Sequence, residues 1–176
     1  MSTHPLFIDN LAFAKKNERL EGVLSASDCP RLLELLQADL ADGALKTGQD
    51  AIAIHYILQG STEGVGQHYL RLIISAKLVT ACQRCLSEMP ITLKLTYNYL
   101  IGESAADDAE VGDIESDDVD LQEASQTMDI VKLIEDEVIM AMPIAPTHDE
   151  DCGAGVMQSG EKPNPFAVLK GLIKPE

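Results

Sequence analysis

From Tyr69 to Ile101 the chain alternates between apolar and polar positions, and this stretch predicts a long β-hairpin. On its first arm Leu70, Leu72, Ile74, Ala76 and Leu78 share one face, while Arg71, Ser75 and Lys77 share the other. On its second arm Ile91, Leu93, Leu95, Tyr97, Tyr99 and Ile101 oppose Thr92, Lys94, Thr96 and Asn98. A side-chain period of two held this long is what a sheet with one covered face and one wet face requires. The same alternation runs through Asp50–Gln59, with Ile52, Ile54, Tyr56 and Leu58 on one face, and a glycine-rich loop over 60–66 joins that strand to the hairpin. Three strands with short connections predict an antiparallel meander. A weaker alternation over Arg19–Ser25 fits one more strand.

Helical periodicity appears in three places. A short helix is predicted over Asn10–Glu18, capped by Asp9 or Asn10. A second starts at Asp28 as cap, with Pro30 in its first turn, Leu32, Leu33, Leu35, Leu36 and Leu40 on its apolar side, and Gly43 as its stop. A third is predicted over Thr127–Ala141, with Thr127 as cap and Ile130, Leu133, Ile134, Val138 and Ala141 as the buried stripe. Its consecutive acids Glu135, Asp136 and Glu137 point in directions about 100° apart, which argues for a solvated side with one acid near the seam rather than a catalytic cluster. Together these elements predict an α+β domain: an antiparallel meander sheet with a long hairpin and helices packed on one face. The whole chain, residues 1–176, fits a single domain, with an acidic, solvated loop over about 103–125 and a tail helix over about 165–174. In that tail helix, Asn164 and Pro165 provide the start and Phe166, Leu169, Leu172 and Ile173 the apolar side.

Charge narrows the function classes. Twenty-nine acids against thirteen Lys and Arg give a formal net charge of −16. Such a chain is repelled by phosphate backbones unless its bases are gathered on one surface. They are scattered along the sequence, so direct tight binding of bare nucleic acid is disfavoured and a basic protein is the easier partner. Residues 102–125 hold ten acids and no Lys or Arg. A calcium-loop reading of Asp113, Glu115 and Asp117 fails, because Asp118 stands where the turn needs Gly and Ala124 where a bidentate Glu is needed. No stretch approaches the roughly 20 apolar residues of a membrane span, and no secretion signal opens the chain. The expected location is the cytoplasm, where thiols stay reduced.

The four cysteines are too few for a disulfide framework. Cys82 and Cys85 have the spacing at which two thiolates reach one tetrahedral metal, and His148 and Cys152 form a second pair downstream. The four would make a closed, structural Cys₃His site for one zinc ion, joining the hairpin tip to the segment after the third helix. Redox catalysis is disfavoured because thioredoxin-like chemistry places CxxC at a helix start, whereas here it lies in a turn between strands; reduced thiols packed without metal are the remaining alternative. Cys29, in the start of the second helix, reads as a small packed residue. No phosphate loop, nucleophile elbow or metalloprotease helix is present, so an enzyme is not expected.

Three blocks carry a resemblance. The Cys82-Gln83-Arg84-Cys85 turn, the run from Met128 through Glu135-Asp136-Glu137 into Met142-Pro143-Ile144-Ala145-Pro146-Thr147-His148-Asp149, and the tail from Lys162 through Pro165-Phe166 to Leu169 resemble the YceD family of large ribosomal RNA subunit accumulation proteins. The resemblance implies a role in the synthesis, processing or stability of large-subunit rRNA, without established catalytic residues. It also implies that relatives carry further cysteines in the second block, which this chain lacks. The reading that follows is a non-enzymatic factor whose acidic body holds a basic ribosomal protein or an rRNA assembly intermediate. The alternative is direct RNA binding, or regulation of a nuclease, through Arg71, Lys77, Arg84 and Lys94 around the wet face of the hairpin.

Overall fold

The structure is a computed structural model, and it describes residues 7–38, 53–64, 66–102, 119–149 and 152. In chain order the elements are β1 (Phe7–Ile8), α1 (Asn10–Lys15), β2 (Arg19–Ser25), a single 3₁₀ turn (Ala26–Asp28), α2 (Pro30–Ala38), β3 (Ala53–Glu63), β4 (Gln67–Ala81), β5 (Glu88–Gly102), β6 (Val119–Glu123), β7 (Met128–Asp129) and α3 (Ile130–Met140). The main sheet has the order β2-β3-β4-β5-β6. Its first four strands pair antiparallel, as the meander requires, and β6 joins parallel to β5, with Asn98 beside Val119. The short β1 and β7 pair separately, Phe7 opposite Asp129.

The core lies where the alternation puts it. Leu70, Leu72, Ile74, Ala76 and Leu78 of β4 are all buried, and Phe13 of α1, Leu32 and Leu36 of α2, and Ile130, Ile134 and Val138 of α3 close over that face. Each of the Leu, Ile, Val and Phe side chains contributes about 1.5–3 kcal/mol by leaving water, so this apolar layer is what holds helices and sheet together. One contact is close enough to require glycine. Gly60 donates its N–H to Glu18 O at 2.9 Å, and a Cβ there would stand 2.7 Å from Ala14 Cα and Phe13 O. The end of α1 therefore lies directly on β3 at a point where no side chain fits.

Several local expectations are corrected. The stretch 60–66 is not a loop throughout: β3 continues to Glu63 and β4 begins at Gln67, and between them Gly64 and Gly66 take φ of 54° and 84°. Ladder pairing down to Glu63–Gln67 overrides the glycine-rich composition. Asp9 does cap α1, accepting from Ala12 N at 2.8 Å, but the helix stops at Lys15. Buried Asn10 instead ties the start of α1 to the segment after β6: its side chain donates to Glu123 O and accepts from Ser125 N, both at 2.9 Å. The cap of α3 is Asp129, two residues later than Thr127, and it accepts from Lys132 N at 3.1 Å. Within the span read as an acidic loop, Val119–Glu123 is strand β6, because pairing with the open end of β5 outweighs its charge. Residues 103–118, the stop at Gly43 and the tail helix over 165–174 lie outside the described residues.

Candidate metal centre at the hairpin tip

The two arms of the hairpin stay paired as far as Ala81 and Glu88, leaving a six-residue apex. Within it Cys82 N donates to Ser87 O at 2.9 Å and Leu86 N donates to Cys82 O at 2.8 Å. This tight turn drives Leu86 to a φ of 59°, a left-handed conformation that costs a non-glycine residue about 1–2 kcal/mol. The bend turns both cysteine side chains inward. From the other side the segment after α3 returns to the apex, where Gln83 N donates to Pro146 O at 2.8 Å. That return brings His148 and Cys152 to the two cysteines.

The four ligand atoms of Cys82, Cys85, His148 and Cys152 lie within 4.8 Å of one another. Cys82 Sγ is 3.6 Å from Cys152 Sγ, and Cys85 Sγ is 3.5 Å from His148 Nδ1. A tetrahedral zinc ion with Zn–S near 2.3 Å and Zn–N near 2.0 Å needs edges of about 3.5–3.8 Å, so the cluster fits such an ion. Four protein donors leave no coordination position for a substrate.

The electrostatics favour thiolate at this site. Burial pushes the Cys82 thiol up, but backbone N–H groups of Cys85, His148 and Arg84 aimed at its sulfur outweigh it and hold the group at about 5. Cys85 is lowered by the backbone and side chain of Ser87. His148 is raised by its hydrogen bond with Cys85, and Cys152 is raised by burial and by the two neighbouring sulfurs. Crowded thiolates of one sign repel, and a divalent cation removes that conflict.

The proposed contact residues separate. Arg71, Lys77 and Lys94 are exposed on the sheet face opposite the helices, whereas Arg84 sits in the apex beside the cysteines. Cys29 is fully buried and its thiol is pushed up to about 12 by burial and by nearby Glu135, as an inert packed residue should be.

A second polar centre escaped the sequence reading. Asp28 does not cap α2: its carboxylate accepts from Ser25 N at 2.8 Å and Ser25 Oγ at 2.6 Å. The cap is Glu135 of α3, whose Oε1 accepts from Arg31 N at 2.8 Å and Leu32 N at 3.1 Å, while its Oε2 meets the Arg31 guanidinium at 2.7 Å. Asp136 holds the other side of that guanidinium at 2.7 Å. Glu137 is also buried and its Oε1 accepts from Tyr99 Oη at 2.8 Å. The expectation that only one of the three acids approaches the seam is therefore wrong. Helical geometry contains the clue: with Ile134 as centre of the stripe, Glu137 lies about 60° to one side, Glu135 about 100° to the other, and Asp136 behind.

The family described as "Large ribosomal RNA subunit accumulation protein YceD" matches residues 70–173, and the chain belongs to that family. The protein of that name from Haemophilus influenzae is 25% identical over 180 residues, covering 96% of this chain and 95% of the relative. No solved structure matches. Among the described residues no helix is long and apolar enough to cross a membrane.

Proposed function

We propose that this protein is a non-catalytic cytoplasmic factor for the accumulation of large-subunit rRNA, and that it acts by holding a basic ribosomal protein or an assembly intermediate. The observation that carries the non-catalytic part is the closed geometry at the hairpin tip. Cys82, Cys85, His148 and Cys152 would hold one zinc ion with no position left for substrate, so the metal would fasten the returning segment to the hairpin and do no chemistry. The family's name supports the rRNA role. The net charge of −16 supports a cationic partner, drawn in by long-range attraction and released as rRNA competes for the same cations.

The test is affinity purification of the tagged full chain from cell extract at low and high salt. Ribosomal proteins or precursor rRNA should be retained at low salt and lost at high salt, because exposed charge pairs are screened within a Debye length of about 8–10 Å. Partners indifferent to salt, or the absence of ribosomal components, would overturn the proposal.

A further inference from the structure

The described cations are not spread evenly over the molecule. On the sheet face opposite the helices, strand register sets Arg19, Gln59, Arg71 and Asn98 side by side across four strands. Farther along the same face Lys94 stands beside Ser75, and Lys77 beside Thr92. At the rise of a β-strand these rows lie about 13 Å and 20 Å from Arg71. Arg71, Lys77 and Lys94 are exposed, and among the described residues none has a carboxylate within ion-pair distance. Arg19 pairs with Glu21 at 3.0 Å, but both side chains are more than half exposed, so that pair is weak and exchangeable.

A cleft of about 660 Å³ opens at the Arg71 row, with Arg19, Gln59, Ser61, Tyr69, Arg71 and Asn98 among its lining residues. Tyr69 Oη donates to Gln67 Oε1 at 3.0 Å, which steadies the ring. Glu18 and Glu63 also line the cleft, and the Glu18 carboxylate is turned to Lys16 Nζ at 3.7 Å. Guanidinium groups suit phosphates, side-chain amides and a hydroxyl suit the edges of a base, and an aromatic ring suits its face. An acidic peptide would use the cations and leave the amides and the ring idle.

We propose that this face binds single-stranded RNA, with one nucleotide seated in the cleft against Tyr69, its phosphate on Arg71, and the strand continuing over Lys94 and Lys77. The acids elsewhere on the chain repel a polyanion, confining it to this face and making binding strongly salt-dependent. The inference goes beyond the holding of a basic partner. Failure of RNA binding leaves that reading standing, and a purification without ribosomal components leaves this one.

The experiment is fluorescence anisotropy of the full chain with a labelled single-stranded oligoribonucleotide of mixed sequence at low salt. Binding should weaken at least tenfold in Arg71→Glu and again in Arg71→Glu with Lys94→Glu, and roughly tenfold in Tyr69→Leu. Lys132→Glu, which changes an exposed cation on α3, should bind like the parent. Removing one cation that neutralises a phosphate should flatten the salt dependence by about 0.7 in log–log slope. No binding by the parent, equal loss in Lys132→Glu, or equally tight binding of inorganic polyphosphate would overturn the proposal.

Discussion

The apex of the hairpin and the seam between α2 and α3 both take polar groups out of water, but they satisfy them by different means. At the seam the chain supplies everything Glu135 needs: two backbone N–H groups at the start of α2 and the Arg31 guanidinium. The helix end that would lack acceptors and the carboxylate that would lack donors answer each other. At the apex three sulfurs and an imidazole crowd together, with backbone N–H groups and Ser87 softening the charge. The Glu135 site is complete as it stands, whereas the apex has the composition of a site that could hold a cation. Buried polar chemistry around Glu135 therefore reads as architecture, and at the apex as a donor set able to take a ligand.

The largest effect should come from removing the ligands of the apex. Protein purified without added zinc should carry stoichiometric metal, and Cys82→Ser or Cys152→Ser should lose it with a marked fall in melting temperature. Elemental analysis beside thermal denaturation checks this, and metal-free parent protein would remove the contrast between the two centres. Acid should release the metal, because protons compete for thiolate and imidazole. The sign follows from Cys82: a thiol held at about 5 instead of 9.0 favours the folded chain fully above pH 9, and that contribution fades as the pH falls toward 5. Metal content measured after equilibration between pH 8 and pH 4 should drop near the lower end.

Next in size is the seam. Glu135→Ala strips the acceptor from two N–H groups and one guanidinium, and should destabilise by about 2–3 kcal/mol in chemical denaturation, with metal content unchanged. Loss of metal in that variant would mean that the two centres are coupled through α3. Tyr99→Phe should cost less, about 1–2 kcal/mol, by leaving the Glu137 carboxylate buried without its donor. The smallest effect belongs to the apex backbone. Leu86→Gly removes the strain of a φ of 59° at the expense of added freedom in the unfolded chain, for a net gain of about 0.5 kcal/mol. A loss on this substitution would show that the exposed Leu86 side chain packs better than its strained backbone implies.

Much of this arrangement was legible in the residues alone. The alternation over Tyr69–Ile101 specifies both arms of the hairpin and the face each residue takes, because a sheet residue has only two sides to choose from. The apolar stripes of α2 and α3 are nearly as plain, since one side of each helix must meet that sheet, although Leu35, read as part of the α2 stripe, is exposed beside buried Leu32 and Leu36. The pairing of Cys82 and Cys85 with His148 and Cys152 was legible from ligand spacing, because few other arrangements explain two such pairs in one chain.

What tertiary structure alone decided lies where distant segments meet. Glu135 capping α2 across 104 positions of sequence, Asn10 bound to Glu123 and Ser125, and β6 lying parallel on β5 leave no local period to read. Local chemistry even points the other way, toward Asp28 as cap and toward a loop at Val119–Glu123. A hydrogen-bond donor is indifferent to how far along the chain its acceptor lies, so the partner is chosen by packing. The sequence by itself determined which faces are apolar and which residues can hold a metal; only the packed fold decided which acids are taken inside, and that Arg19 joins Arg71, Lys77 and Lys94 on the open side of the sheet.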